Sequence, residues 1–549
     1  MTSLERQEGN IYGVVTEPAY SILTYTWGRW PAPNGPHIDV SGTTWDIPAV
    51  NESMFSVATF HQVIKKMGEI NDFAWIDVVC IDQENYAVKM DEIGRQVGIF
   101  AKADRVYVWL WTQPLVRLQE VFNEIFYRSG YLQTAFDSVP QIEKGAALAP
   151  LKQCLDTLFD DWWFTSLWTL QEGILRPDAT VLARDAQTVE LHDGLPPSSP
   201  SWSTSAVKPV VVQMKILSNA LFNLRVVLES GFCRFTEPPF SQLGDAIIER
   251  IKRAGYSTPP FGFNPNIQWG VARFRNASFE QDRIYGIMSI YNLRIGAAAA
   301  VATDLAKPAA SPRRYALAEL EREFAAALNQ ASPLLGQLFI HLARPTAATW
   351  QISQCITVPA AFCDYDARYT STCNIAINTT TGNPSWLTST DPPFCYAKYN
   401  GNFCTLRDLS AFWKASVTPK AGLGKTGFYF YAVLDTYVVA EHAPTIPAIP
   451  VDLTNESYDD LAQGLAQIQA LFQVFGDAGV EVLELGRETN SMAPYIYGLL
   501  LHRRQDTKGG PPSCRRIGIC KWSASGGFQR DMLCVSEPVS WKWCERDVW

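Results

Sequence analysis

The sequence predicts an α/β protein: a doubly wound parallel sheet over residues 1–192, a linker over 193–209, and a larger α+β region over 210–549 that could comprise two units. Two observations carry this reading. Strand-like and helix-like segments alternate from residue 20 to about residue 190, and the stretch that follows is rich in Pro and Ser, as linkers are. Beyond it the patterning changes to helices first and then short strands separated by turns.

The elements follow in order. Residues 20–26 are β-branched and aromatic and read as a strand, which Trp27-Gly28 ends with a turn. Residues 31–50 contain four prolines and read as an irregular connection. Helical spacing of Phe60, Val63, Ile64 and Met67 predicts a helix over 54–70. Residues 73–79 form a near-continuous apolar run, as in a central parallel strand. Met90, Ile93, Val97 and Phe100 make the stripe of a helix over 87–103, with Asp91 and Glu92 near its start, where the helix dipole favours acids. Arg105 to Trp111 reads as a third strand, 114–128 and 150–160 as helices, Trp168 to Leu175 as a short helix, and Ala179 to Ala183 as a further strand. In the second half, 210–231 and 313–328 read as helices and 355–440 as strands and loops. Residues 457–475 carry an amphipathic stripe of Leu461, Leu465, Ile468, Phe472 and Phe475.

Composition excludes several classes. Hydrophobic residues make up 47% and charged residues 18%, which describes a folded chain rather than a disordered one. The net charge of −9 and the lack of a long basic run argue against nucleic-acid binding; Arg515-Arg516 with Lys521 is too short a cluster. Met1 to Asn10 lacks the apolar core of a signal peptide, and Ile295 to Ala302 is too short to span a bilayer, so a cytoplasmic protein without membrane contact is expected. The twelve cysteines include no C-x-x-C, and the six histidines form no H-x-x-x-H or H-E-x-x-H, so no metal site is expected. Without a secretion signal the thiols are expected to be reduced.

Few residues stand out as chemistry. Glu172 lies four residues after Trp168, on the same helical face. A carboxylate beside an indole near the mouth of a sheet can bind ribose hydroxyls while the ring stacks on a flat base. That suits cleavage of an N-glycosidic bond, whose oxocarbenium-like transition state is stabilised by a nearby negative charge. Nicotinamide leaves readily in its cationic form, so one carboxylate could suffice. The same residue is compatible with an ion pair or a cap on backbone N–H groups. Asp77 interrupts an apolar run, and Asp82-Gln83 sits beyond it; each acid could satisfy backbone donors or meet a ligand. Cys80 lies between them with no histidine nearby. Trp27-Gly28-Arg29 occupies the loop after the first strand, where backbone approaches ligands in doubly wound folds, although Trp27 could equally be core. No G-x-G-x-x-G or G-K-[ST] is present.

Three segments together resemble the fungal heterokaryon-incompatibility (HET) domain: T-Y-T-W-G at 24–28, W-I-D-V-V-C-I-D-Q at 75–83 and W-F-T-S-L-W-T-L-Q-E at 163–172. A weaker echo, Asp282-Arg283-Ile284-Tyr285-Gly286, is similar to a segment that often follows that domain. Thr24 stands where the family usually has Ser, and Ser166 where it usually has Arg. HET domains resemble TIR domains, so the resemblance implies a TIR/flavodoxin-like sheet. Many TIR domains cleave NAD with a glutamate in a W-x-x-x-E stretch, which Trp168 and Glu172 match. The resemblance thus implies NAD as substrate rather than cofactor and Glu172 as the catalytic residue. Trp27, Gly28, Arg29, Asp77, Asp82, Gln83 and Trp168 complete the expected substrate site.

Three readings follow. The first is an NAD-cleaving effector of non-self recognition and cell death, gated by homo-oligomerisation and sensing a protein partner through its second half. The second is a non-catalytic self-associating signalling module. The third is a biosynthetic or nucleotide-modifying enzyme that uses the same pocket on another substrate.

Overall fold

The structure is a computed structural model. It describes residues 1–26, 34–134, 140–191, 209–229, 235, 237–256, 258, 263–299, 313–345, 348–366, 368–378, 396–417, 428–442, 468–476, 479–489, 495–503, 513–524 and 541–548. The chain divides into two compact units, residues 1–261 with 271–320, and residues 262–270 with 321–549.

The first unit opens with a small antiparallel meander, β1 (Arg6–Gln7), β2 (Ile11–Tyr12) and β3 (Val15–Thr16). The alternating segment then runs β4 (Tyr20–Thr24), α1 (Val57–Met67), β5 (Phe73–Trp75), α2 (Asp77–Cys80), α3 (Tyr86–Lys102) and β6 (Arg105–Trp109). It continues with α4 (Leu115–Thr134), α5 (Gln141–Ala146), α6 (Leu148–Phe159), α7 (Leu167–Leu175) and β7 (Thr180–Leu182). Strands β4 to β7 form one all-parallel sheet in the order β5-β4-β6-β7. The order reverses between β4 and β6.

Both faces of this sheet are covered, which the alternation of side chains shows directly. Ile22, Val106, Val108 and Val181 enter one core with Phe100 of α3, Val121 of α4 and Leu155 of α6. Their neighbours Leu23, Tyr107, Trp109 and Leu182 point the other way and pack with Phe60, Val63 and Met67 of α1. A short antiparallel pair, β8 (Glu190–Leu191) and β9 (Val210–Val211), precedes α8 (Met214–Glu229) and α9 (Pro238–Ala254). Leu217 and Leu221 of α8 and Ile247 and Ile251 of α9 join the first of the two cores. Gly255 ends α9 in the left-handed conformation at φ 83°.

Local chemistry explains where the helices begin. The Ser56 hydroxyl accepts from Thr59 N at 3.1 Å and caps α1. Asn85 caps α3 by accepting from Ala87 N at 3.1 Å and Val88 N at 3.3 Å. One expectation is corrected: the run 73–79 is not a central strand. Only Phe73–Trp75 pairs, at the edge of the sheet, and the chain then turns into α2. The carboxyl of Asp77 needs donors that a ladder cannot supply. At the first position of a helix it accepts from Val78 N at 2.7 Å. The third strand likewise stops at Trp109 rather than Trp111. The linker expected over 193–209 lies outside the described residues except for residue 209.

In chain order, α10 (Asn266–Ala272), α11 (Asp282–Tyr285) and α12 (Leu317–Ala331) lead into α13 (Pro333–Gln337) and the hairpin β10 (Ile340–His341) with β11 (Ile356–Thr357). The rest of the second unit comprises β12 (Tyr369–Ser371), β13 (Asn374–Asn378), β14 (Tyr396–Thr405), α14 (Leu406–Val417), β15 (Phe428–Leu434), α15 (Thr436–Glu441), β16 (Val480–Glu488), β17 (Ile496–Arg503), β18 (Ser513–Ala524) and β19 (Lys542–Val548). Among the described residues the pairings β16-β17-β18-β19-β14 return to β16 and close a ring, with β18 and β19 joined over two residue pairs. β12, β13 and β15 add to it. Among the described residues only β18 with β19 is parallel within this sheet. Of the amphipathic helix expected over 457–475, residues 468–475 are helical, with Ile468 and Leu471 in the core; 457–467 lie outside the described residues.

Candidate functional site

The carboxyl ends of β4 and β5 gather four polar side chains. Thr24 is the last residue of β4, Tyr25 follows it, Asp77 opens the helix after β5, and Glu172 comes from α7. Thr24 is the hinge of the group. Its Oγ1 accepts from the buried Trp163 indole at 2.8 Å, which directs its own hydrogen to the Glu172 carboxyl. The Tyr25 hydroxyl faces the Asp77 carboxyl and favours its ionised form.

Glu172 is half-buried, yet protein crowds its carboxyl. Desolvation therefore raises its pKa to about 8; the Thr24 hydrogen bond opposes the rise, and the charge of Asp77 adds to it. Asp77 is itself raised, again by burial first, against the lowering effects of Tyr25, the Val78 amide and the positive charge of Lys89. Two carboxyls that repel one another share this end of the sheet, so their protons belong to the pair. Among the described residues Glu172 makes no ion pair. Burial pushes the Cys80 thiol up to about 12, which leaves it protonated and unsuited to nucleophilic attack at neutral pH.

The other expected residues are placed as follows. Gln83 donates from Nε2 to the backbone carbonyl of Asp77 at 3.5 Å, which keeps it beside the pair. Asp82 accepts from Glu84 N and Asn85 N, both at 3.0 Å, and so shapes the turn into α3. Trp168 is half-buried and gives its side-chain hydrogen bond to Asp282. Trp27, Gly28 and Arg29 lie outside the described residues.

Several contributors escaped the reading of the sequence. Lys89 bears on both Asp77 and Asp282 as a positive charge. Gln171, fully buried, donates to Gln96 Oε1 at 2.7 Å and accepts from Ser289 N at 3.0 Å, which fixes the roll of α7. Arg275 is 1% exposed; it donates to the carbonyls of Trp163 at 3.2 Å, Ser166 at 3.3 Å and Ala254. Ser166 makes no side-chain cap on α7; this guanidinium and the Thr169 hydroxyl, which donates to the same Trp163 and Ser166 carbonyls, hold the turn in front of the helix. The Asp282-Arg283 echo has a structural meaning: Asp282 anchors Trp168, and Arg283 donates to the carbonyls of Ala272 and Arg275, both at 2.8 Å.

Fold and site together define a parallel α/β unit with a proton-binding carboxyl pair at the carboxyl ends of its strands, the position where such sheets take ligands. Residues 20–172 match the family described as heterokaryon incompatibility protein (HET). The match starts on the first residue of β4 and ends on Glu172. No curated protein and no solved structure matches the chain. Among the described residues no group of three His, Cys, Asp or Glu is placed to hold a metal ion, and no helix is long and apolar enough to cross a membrane.

Proposed function

We propose that this chain is an effector of fungal non-self recognition and programmed cell death that cleaves the N-glycosidic bond of NAD, with Glu172 as the catalytic residue. The observation that carries the reading is Glu172 itself. It is partly accessible, lies at the carboxyl end of β4, is held by the Thr24 hydroxyl, and has no basic side chain bound to it among the described residues. The strand order β5-β4-β6-β7, with its reversal beside β4, supports a TIR/flavodoxin-like sheet binding a nucleotide there. Asp77, Asp82, Gln83 and Trp168, with Trp27, Gly28 and Arg29 of the first loop, form the substrate site in this reading.

The chemistry follows from charge. Ligand-free Glu172 is protonated at neutral pH. A cationic nicotinamide ring beside it favours the ionised form, so binding displaces the proton. The bond between the ribose carbon and the ring nitrogen breaks with its electron pair leaving on nicotinamide. The carboxylate stabilises the oxocarbenium ion, and water adds to that carbon and loses a proton. Lys89 supplies a positive charge on the same side for the diphosphate. Self-association gates the reaction, with a protein partner sensed by the second unit.

The test is nicotinamide release by the full chain at high protein concentration. Glu172→Ala should lower the rate at least about a hundredfold, with folding unchanged by circular dichroism. Release that survives this change, or that never occurs in the assembled wild-type protein, would falsify the assignment. A second reading has one observation in its favour. A carboxyl neutral at pH 7 can serve as a hydrogen-bonded structural group, and the unit would then be a non-catalytic self-associating module. Assembly and toxicity that persist in Glu172→Gln without nucleotide turnover would select it.

A further inference from the structure

The turn in front of α7 is held by parts of the chain that lie far from it in sequence. Asn276 pairs with it as a short parallel bridge: its N–H donates to the Thr165 carbonyl at 2.7 Å, and its carbonyl accepts from Leu167 N at 3.0 Å. One residue earlier, the buried Arg275 reaches the Trp163 and Ser166 carbonyls from 112 and 109 positions away. The same fork donates to Ala254, the last residue of α9. Tyr256 lies against the Trp163 ring, with ring centres 5.8 Å apart and planes at 22°. Trp163 is thus gripped by its carbonyl and by its ring at once. Burying a guanidinium is costly, and several carbonyls in its plane offset that cost; a lysine carries the same charge but has no planar fork.

Trp163 matters to the site through its indole. The N–H donates to Thr24 Oγ1 at 2.8 Å, and Thr24 in turn faces Glu172. A hydroxyl has a single hydrogen, so an occupied lone pair turns that hydrogen toward the carboxyl. The order of dependence is Arg275, the turn, the Trp163 indole, Thr24 and Glu172.

We propose that Arg275 is a positioning residue of the N-terminal site: by fixing the Trp163 and Ser166 carbonyls it places the indole that orients Thr24, and so the hydrogen bond that Glu172 receives. The inference rests on Glu172 as the working carboxyl of the proposed function, yet the relay operates before any substrate binds. Its effect has a sign. The Thr24 hydroxyl favours ionised Glu172, against desolvation and the charge of Asp77. Tyr25 and Tyr256 face the same carboxyl. A slackened clasp weakens the Thr24 bond and leaves the opposing groups in place, so Glu172 holds its proton more tightly.

The test titrates Glu172 on the full chain without nucleotide, through the protonated-carboxyl infrared band that Glu172→Gln removes. Arg275→Lys keeps the positive charge and loses the fork. It should raise the midpoint from about 8 by about 0.5–1 pH unit. In nicotinamide release it should lower kcat at least about tenfold while KM changes less than about threefold. Arg275→Met, which fills similar space without charge, should move the midpoint the same way. Trp163→Phe keeps an aromatic ring and removes the donor; it should match the shift of Arg275→Lys, and the double variant should go no further. A folded Arg275→Lys protein with the wild-type midpoint, additive shifts in the double variant, or failure of both Arg275 variants to fold overturns the proposal. Expected midpoints in a wild-type protein that releases no nicotinamide defeat the catalytic assignment of Glu172 and leave the relay standing.

Discussion

A single carboxyl sets the behaviour of the N-terminal site. Glu172 has its ordinary affinity for protons in the unfolded chain and a raised one, to about 8, in the folded protein. Between pH 4.5 and about 8 the folded form holds a proton that the unfolded form has released, so folding takes up a proton and stability falls as pH rises across that window. The ceiling is about 5 kcal/mol, at about 1.4 kcal/mol per pKa unit, and partial solvent contact reduces it to about 2 kcal/mol. Glu172→Gln should therefore stabilise the protein at pH 8 and change little at pH 4.5. Urea midpoints at the two values measure the difference, and equal pH slopes for wild type and variant would contradict the account. Asp77 raises Glu172 through its charge, so Asp77→Asn should shift this window toward lower pH.

At the scale of elements, α7 is positioned by its buried polar side as much as by its apolar one. Gln171 joins it to Gln96 of α3 and to the backbone at Ser289. Gln171→Ala leaves a buried carbonyl and a buried N–H without partners and should cost about 1–3 kcal/mol each, a loss visible in thermal unfolding. Hydrogen exchange at Ser289 should accelerate in the same variant. No change at that amide would show that the bond is not formed. On the next residue but one, a Cβ at Gly173 would stand 2.5 Å from the Tyr256 hydroxyl and 2.9 Å from the Trp163 ring. The helix thus lies too close to its neighbours for any larger residue, and this closeness brings Glu172 to Thr24.

Across the whole molecule, Glu172 in the first unit and His341 in the second contribute to the acid response in opposite senses. In the second, His341 is fully buried and held down to about 4 by desolvation first; the Arg516 cation adds to that, while Asp435 and the Thr349 carbonyl oppose it. The unfolded chain binds a proton on this histidine below pH 6.5 that the folded form refuses, so stability is lost as pH falls from 6.5 to about 4. The loss approaches about 3 kcal/mol. His341→Gln should flatten that acid limb in scanning calorimetry while leaving the alkaline limb of Glu172 in place. A variant that keeps the full acid limb would assign it elsewhere.

Much of this architecture was legible in the residues, and some was not. Helices α1 and α3 announced themselves by the spacing of Phe60, Val63 and Met67 and of Met90, Ile93 and Phe100, whereas their caps, Ser56 and Asn85, were not read from the sequence. The alternating pattern disclosed the parallel sheet because both faces of β4, β6 and β7 are apolar. The run 73–79 misled because apolar composition does not distinguish a strand from a short buried helix, and only the demand of Asp77 for a donor decides between them. Glu172 and Trp168 could be singled out by their spacing. Thr24, Lys89, Gln96, Asp282 and Arg275 could not be assigned their parts, because their partners lie far away in sequence. The sequence by itself determined the order of helices and strands and their periodicity, since those depend on neighbours along the chain. Tertiary structure alone decided which carboxyl takes up a proton, which tryptophan is anchored by which acid, and which arginine holds the turn before α7. Those outcomes depend on desolvation and on charges brought together only when distant segments pack.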